Sequence, residues 1–201
     1  MARVDLSVIR ELYVLWKPVF PYFARYVKEI FRRTGGLIAE IGPFCGPIFS
    51  LKEEKIGDNY VIAAFPKGAS QIYRQEAYNL GVYDNDIIIV ELDRFSCFKD
   101  NIFDLILFRG AFFFPHLFQV DFNAIYNMLK GGGVAIVGGG FGKYTPDTLI
   151  RKIGKRSKEL NLIAGKIDIS LEKLKEGITQ EKLKDRIEIS TEGGLWTILK
   201  K

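Results

Sequence analysis

The stretch Gly36-Leu37-Ile38-Ala39-Glu40-Ile41-Gly42-Pro43-Phe44-Cys45-Gly46 decides how the chain is read. Leu37-Ile38-Ala39 is an apolar run of the kind a buried strand shows, an acid stands near its end, and a loop with glycines at 42 and 46 follows at once. The pattern describes a strand that ends beneath a ligand, because glycine leaves no Cβ between the backbone and what it approaches. Residues 48–54 then start a short helix whose amides point at that ligand. An ordinary strand–turn–helix would look the same locally, so the order of the later elements has to separate the two.

That order is regular. Residues 60–65 are a second apolar run, stopped by Pro66-Lys67-Gly68, and the polar link before it carries the turn Gly57-Asp58. Residues 69–80 read as a helix closed by Gly81. Within 86–91, Ile87-Ile88-Ile89-Val90 are consecutive β-branched residues, the mark of a buried parallel strand. A fourth strand at 103–108, a helix at 120–129, a turn at Gly131-Gly132-Gly133 and a fifth strand at 134–137 follow. After Pro146 a helix reaches residue 160, and a shorter one covers 171–177. The strand patterns 186–191 and 195–200, split by Glu192-Gly193-Gly194, form a hairpin. The spacing predicts an α/β fold: a doubly wound, mostly parallel seven-stranded sheet with a C-terminal antiparallel hairpin, preceded by N-terminal helices.

Upstream, residues 8–33 are helical by pattern, with Leu12, Leu15, Val19, Phe23, Val27 and Phe31 at spacings of three and four. Pro18 and Pro21 must break the pattern into two helices or bend it. Tyr13, Trp16, Phe20, Tyr22, Phe23 and Tyr26 make it aromatic. Three readings stay open: helices packed on the sheet edge, a lid over an apolar substrate, or a membrane-surface helix with Lys17, Arg25, Lys28, Arg32 and Arg33 on its basic side. Residues 1–34 are therefore a helical extension or lid, and 35–201 the main domain.

The composition narrows the function classes. A chain of 201 residues, 48% of them hydrophobic, fits one domain with a sizeable core. A net charge of +5 mixes 29 bases with 24 acids, which suits a solvated surface and does not require nucleic acid. Cys45 and Cys97 show no metal-ligand spacing and no disulfide framework, so no metal is expected and a reducing, cytoplasmic setting is. No apolar run is long enough to cross a bilayer, and Asp5 and Glu11 interrupt the amino terminus too early for a signal peptide.

The loop from Glu40 to Gly46 resembles the first motif of the class I S-adenosylmethionine-dependent methyltransferases, acid-x-Gly-x-Gly-x-Gly. Glu40, Gly42 and Gly46 match it, and Phe44 stands where the middle glycine is usual. Phe98 with residues 100–106 resembles the segment that enters that family's fourth strand. Leu129-Lys130-Gly131-Gly132-Gly133 resembles its turn before the fifth, with Gly131 replacing proline. The terminal hairpin fits this family better than an all-parallel nicotinamide oxidoreductase, and the resemblance covers residues 36–201. It implies S-adenosylmethionine as cofactor and methyl transfer to a small or medium-sized acceptor; the alternative is a catalytically silent member that binds or scaffolds. It also implies a cofactor site at Glu40, Gly42, Pro43, Phe44, Cys45 and Gly46, at Phe65 and Pro66, at Asp93 and Arg94, and at Arg109 and Gly110. The family's second strand usually ends in an acid that holds the ribose. Here Ala64-Phe65-Pro66-Lys67 has none, so Phe65 would pack on adenine, with Ser70 or Gln71 giving a weaker hydrogen bond.

Methyl transfer asks the protein mainly for positioning and exclusion of water, and for a base only when the acceptor must lose a proton. His116, the single histidine, is a candidate base at a helix start, or a structural residue. Arg109 is a candidate partner for a substrate carboxylate or phosphate, or for a nearby acid. Phe112-Phe113-Phe114 line an apolar pocket or fill core, and Gly138-Gly139-Gly140-Phe141-Gly142 follow the fifth strand as a close approach to substrate or a loose connection. The basic run 151–158 is a solvated helix face or an RNA contact.

Overall fold

A computed structural model describes residues 5–82, 86–92 and 98–201. Helix α1 (Leu6–Trp16) begins where the Asp5 carboxylate accepts from the Ser7 amide. A single 3-10 turn, Lys17–Val19, joins it to α2 (Phe20–Phe31). Pro18 and Pro21 each sit in the first turn of their segment, where a missing N–H costs no helical hydrogen bond. The proline break thus gives two helices.

The remainder alternates: β1 (Leu37–Gly42), α3 (Pro47–Glu53), β2 (Asn59–Ala64), α4 (Ser70–Asn79), β3 (Ile87–Glu91), β4 (Phe103–Arg109), α5 (Phe122–Met128), β5 (Leu129–Gly140), α6 (Asp147–Ile163), α7 (Leu171–Thr179), β6 (Ile187–Ser190) and β7 (Gly194–Lys200). The strands form one seven-stranded sheet in the order β3-β2-β1-β4-β5-β7-β6. β3, β2, β1, β4 and β5 are parallel, and β7 runs antiparallel between β5 and β6. The strand order reverses beside β1, so the carboxyl ends of β1 and β4 flank the crevice where such sheets take ligands.

Side-chain alternation sorts the strands onto two cores. Ile38, Ile62, Leu105, Leu107, Ile136, Trp196 and Ile198 face one side, against α1 to α4. Ala39, Ile41, Ile106, Phe108, Ala135, Val137 and Leu199 face the other, against α5 and α7. By the same period Glu40 and Arg109 lie on the α1–α4 side. Helix α6 joins neither core; its Leu160 packs with Leu12 of α1, Phe114 and Ala164 in a small cluster over the carboxyl ends.

Two expectations are corrected. Gly131-Gly132-Gly133 is not a turn ahead of the fifth strand but a bulge inside it: pairing with β4 passes from Phe103↔Leu129 to Leu105↔Val134. Gly138 to Gly140 are not a loop after that strand; they are its last residues, paired with Trp196, Leu195 and Gly194 of β7. A Cβ on Gly138 would meet the Leu195 carbonyl, so glycine serves strand packing at this position. Asp93 and Arg94 lie outside the described residues.

Candidate functional site

Glu40 is fully buried, and its Oε2 accepts from the amides of Gly46 at 2.9 Å and Ile48 at 3.0 Å. The amides at the start of α3 therefore point at this carboxylate rather than outward, which corrects the expectation for that helix. Tyr73 of α4 completes the brace: its hydroxyl donates to the Pro43 carbonyl at 2.7 Å and accepts from the Cys45 amide at 3.0 Å. The Cys45 thiol turns inward to the Gly42 carbonyl at 3.1 Å. Burial raises Glu40 to about 7, against the Gly46 amide, the field of Arg109 and the Ile48 amide. Burial also pushes the Cys45 thiol well above its ordinary value, with Glu40 adding to it.

A cavity of about 600 Å³ opens beside this loop. Its floor holds Phe44, Cys45, Arg109 and Gly110; Tyr13, Trp16 and Phe20 cover it from α1 and the start of α2; Phe113, Phe114 and Phe141 form a further wall, and α6 closes the side with Ser157 and Asn161. The Trp16 and Phe141 rings stack at 4.4 Å, and the Trp16 indole N–H donates to Ser157 Oγ at 2.8 Å. One tryptophan thus ties α1 both to the residue that follows β5 and to α6.

Arg109 reaches the cavity from the end of β4. Its guanidinium lies 4.9 Å from the Trp16 ring centre, 5.4 Å from Phe20 and 5.5 Å from Phe23, and Nη1 donates to the Phe44 carbonyl at 3.3 Å. Burial lowers its pKa, and Glu40 works against that shift.

Most of the other expected residues do not line this cavity. Gly42 packs against the Phe108 ring. Gly46 makes room for Phe20 and Tyr13, whose rings a Cβ would strike. Pro43 meets Tyr73. Phe65 turns to the opposite face, edge-on to Phe108 at 6.1 Å and Phe118 at 5.1 Å, with Pro66 joined to it by a cis peptide bond. His116 sits in a turn ahead of α5, not at a helix start, against Gly165 and outside the cavity wall. Phe112 leaves the cavity for Phe122. The basic run lies on α6, where Arg156 pairs with Glu11 and Glu159 while Arg151, Lys152, Lys155 and Lys158 are exposed.

Sequence reasoning missed three groups. Tyr73 carries no signal within α4. The Trp16–Phe141 stack joins residues far apart in the chain. Glu91 was findable, as an acid at the carboxyl end of a β-branched strand: its Oε2 accepts from the Gly68 amide at 2.6 Å and the Ser70 hydroxyl at 3.2 Å, bringing a carboxylate to where β2 hands over to α4. Among the described residues no three His, Cys, Asp or Glu side chains converge on a metal position, and no helix is long and apolar enough to cross a membrane.

No family model and no curated protein matches the chain. Solved structures do. A presumed S-adenosyl-L-methionine-dependent methyltransferase from Methanococcus maripaludis is 26% identical, with a TM-score of 0.76 over 100% of this chain and 95% of that one. A presumed methyltransferase in complex with the Haloferax volcanii Trm112 methyltransferase activator is 12% identical, with a TM-score of 0.63 over 100% of this chain and 99% of that one. An Aquifex aeolicus SAM-dependent methyltransferase is 13% identical, with a TM-score of 0.60 and 98% of each chain covered. At their identities the last two speak to fold alone.

Proposed function

We propose, for a chain that belongs by fold to the class I S-adenosylmethionine-dependent methyltransferases, that it binds this cofactor and transfers its methyl group to a small or medium-sized acceptor. The observation that carries the reading is the cavity at the carboxyl ends of β1, β4 and β5, walled on one side by a loop that Glu40 and Tyr73 hold in shape. When bound, the cofactor supplies an electrophilic methyl on a sulfonium.

The chain's own residues would do the rest. Phe44, Cys45 and Gly110 form the wall for the cofactor's amino-acid half, and the unpaired Arg109 Nε fits a carboxylate at that end. Tyr13, Trp16, Phe20 and Phe141 exclude water and hold an apolar acceptor by contact area. On the nucleoside side Phe65 has turned away, and Glu91 is the carboxylate at hand. Its Oε2 is already engaged, so its remaining oxygen is what the ribose would share. A weaker hold follows, and a dissociation constant on the order of 10–100 μM for S-adenosylhomocysteine is expected.

The missing acid at the end of β2 also favours a second reading, a catalytically silent member that scaffolds a partner. Calorimetry with S-adenosylhomocysteine and with NADH tests the assignment. Methyl transfer predicts binding of the first and none of the second. NADH binding alone would overturn it, and binding of neither would favour the silent reading.

A further inference from the structure

Arg109 is only 7% exposed, yet it brings a charge into an aromatic wall. Buried charges are ordinarily paired, because desolvation is costly. Among the described residues no carboxylate oxygen lies within ion-pair distance of this guanidinium. Glu40 acts on it electrostatically from beyond ion-pair distance: its Oε2 is committed to the Gly46 and Ile48 amides, and its Oε1 is buried without a hydrogen-bond partner. The three surrounding rings offer cation–π attraction without a hydrogen bond. Nη1 is turned to the Phe44 carbonyl, and Nε is buried with no partner. Nη2 donates to no described residue, so the guanidinium keeps donor capacity for an incoming anion, and its planar shape matches the two oxygens of a carboxylate. The surroundings agree in sign: Lys158 and Lys166 also line the cavity, against the single acid Asp168.

We infer that Arg109 receives a carboxylate in this cavity, from the amino-acid end of the cofactor or from an acceptor whose body is apolar. Only the first source rests on the methyl-transfer reading. The second needs no more than the cavity: a carboxylate on Arg109 leaves the rest of the molecule among Trp16, Phe44, Phe113 and Phe141, which suit an aromatic or aliphatic body.

Titration calorimetry on the full chain separates the sources with two matched pairs of probes. S-adenosylhomocysteine against its decarboxylated analogue reads the cofactor's carboxylate. 3-Phenylpropionate against 3-phenylpropanol, with and without S-adenosylhomocysteine, reads that of an acceptor. In at least one pair the wild-type chain should favour the carboxylate tenfold or more, and Arg109→Met should remove that preference. Arg109→Lys, which keeps the charge but not the fork, should retain part of it. A wild-type chain with no preference in either pair overturns the inference even if neither variant folds, and so does a preference that survives in Arg109→Met. Should the phenylpropionate preference appear while neither nucleoside binds, the role of Arg109 stands and the methyl-transfer reading falls.

Discussion

The two halves of the crevice are built differently. On the β1–β4 side a buried carboxylate, two amides, a tyrosine hydroxyl and a caged guanidinium hold the loop from Pro43 to Gly46 in a single arrangement. On the β2–β3 side the strand is followed by Phe65, whose ring belongs to the opposite core, and Glu91, an acid at the end of β3, is exposed and accepts from the Gly68 amide ahead of α4. Hydrogen bonds made in the interior are costly to break and so hold their groups in place; groups at the surface share their bonds with water and bind weakly. The contrast implies a site that orients the reacting end of its ligand better than it grips the nucleoside.

The largest effect should come from the rigid half. Glu40→Ala leaves the buried Gly46 and Ile48 amides without their acceptor and removes a negative charge that acts on Arg109, and should cost about 3–5 kcal/mol in denaturant unfolding. A loss below about 1 kcal/mol, the scale of a surface bond, would erase the contrast between the halves.

Glu40→Gln sharpens the same point through pH. Burial raises Glu40 to about 7 from 4.5, so the folded chain holds this proton more tightly than the unfolded one. That contribution is complete below 4.5 and is lost as pH rises through about 7. Linkage sets it at up to about 3 kcal/mol. Unfolding followed from pH 4.5 to 8 should show wild-type stability falling relative to Glu40→Gln; parallel curves would mean that Glu40 titrates normally.

The aromatic cover on α1 gives the next effect. Trp16→Ala removes the Phe141 stack, the Arg109 contact and the bond to Ser157, and should lower stability by ~2–3 kcal/mol while opening the cavity to water. A thermal melt, read beside the binding of an apolar dye, measures both.

The open half gives the smallest stability change. Glu91→Gln should shift unfolding by less than ~1 kcal/mol but weaken adenosine-containing ligands by about five- to tenfold. Unchanged affinity would take Glu91 off the ribose.

The succession of strands and helices along the chain was legible because alternation, β-branched runs and the Glu192-Gly193-Gly194 hairpin each act over a few neighbouring residues. So was the place of the loop, since Glu40, Gly42 and Gly46 carry its turn. The reason for the glycine at 46 was not legible: it clears Phe20, a ring from another part of the chain, and local sequence does not say which neighbour fills a space. The same limit explains Gly138, read as a close approach to substrate or a loose connection and found against Leu195, and Phe65, whose contacts with Phe108 and Phe118 local sequence does not show. Period two did place Glu40 and Arg109 on one face once the register Ile41↔Phe108 was known; that register is a tertiary fact.

A crystal structure of the chain soaked with S-adenosylhomocysteine tests the central claim most directly. The account predicts the amino-acid half against Phe44, Cys45 and Gly110, and the nucleoside directed toward Glu91, with the loop from Pro43 to Gly46 unmoved. A ligand bound away from this crevice, or one admitted only by breaking the bonds from Gly46 and Ile48 to Glu40, would contradict it.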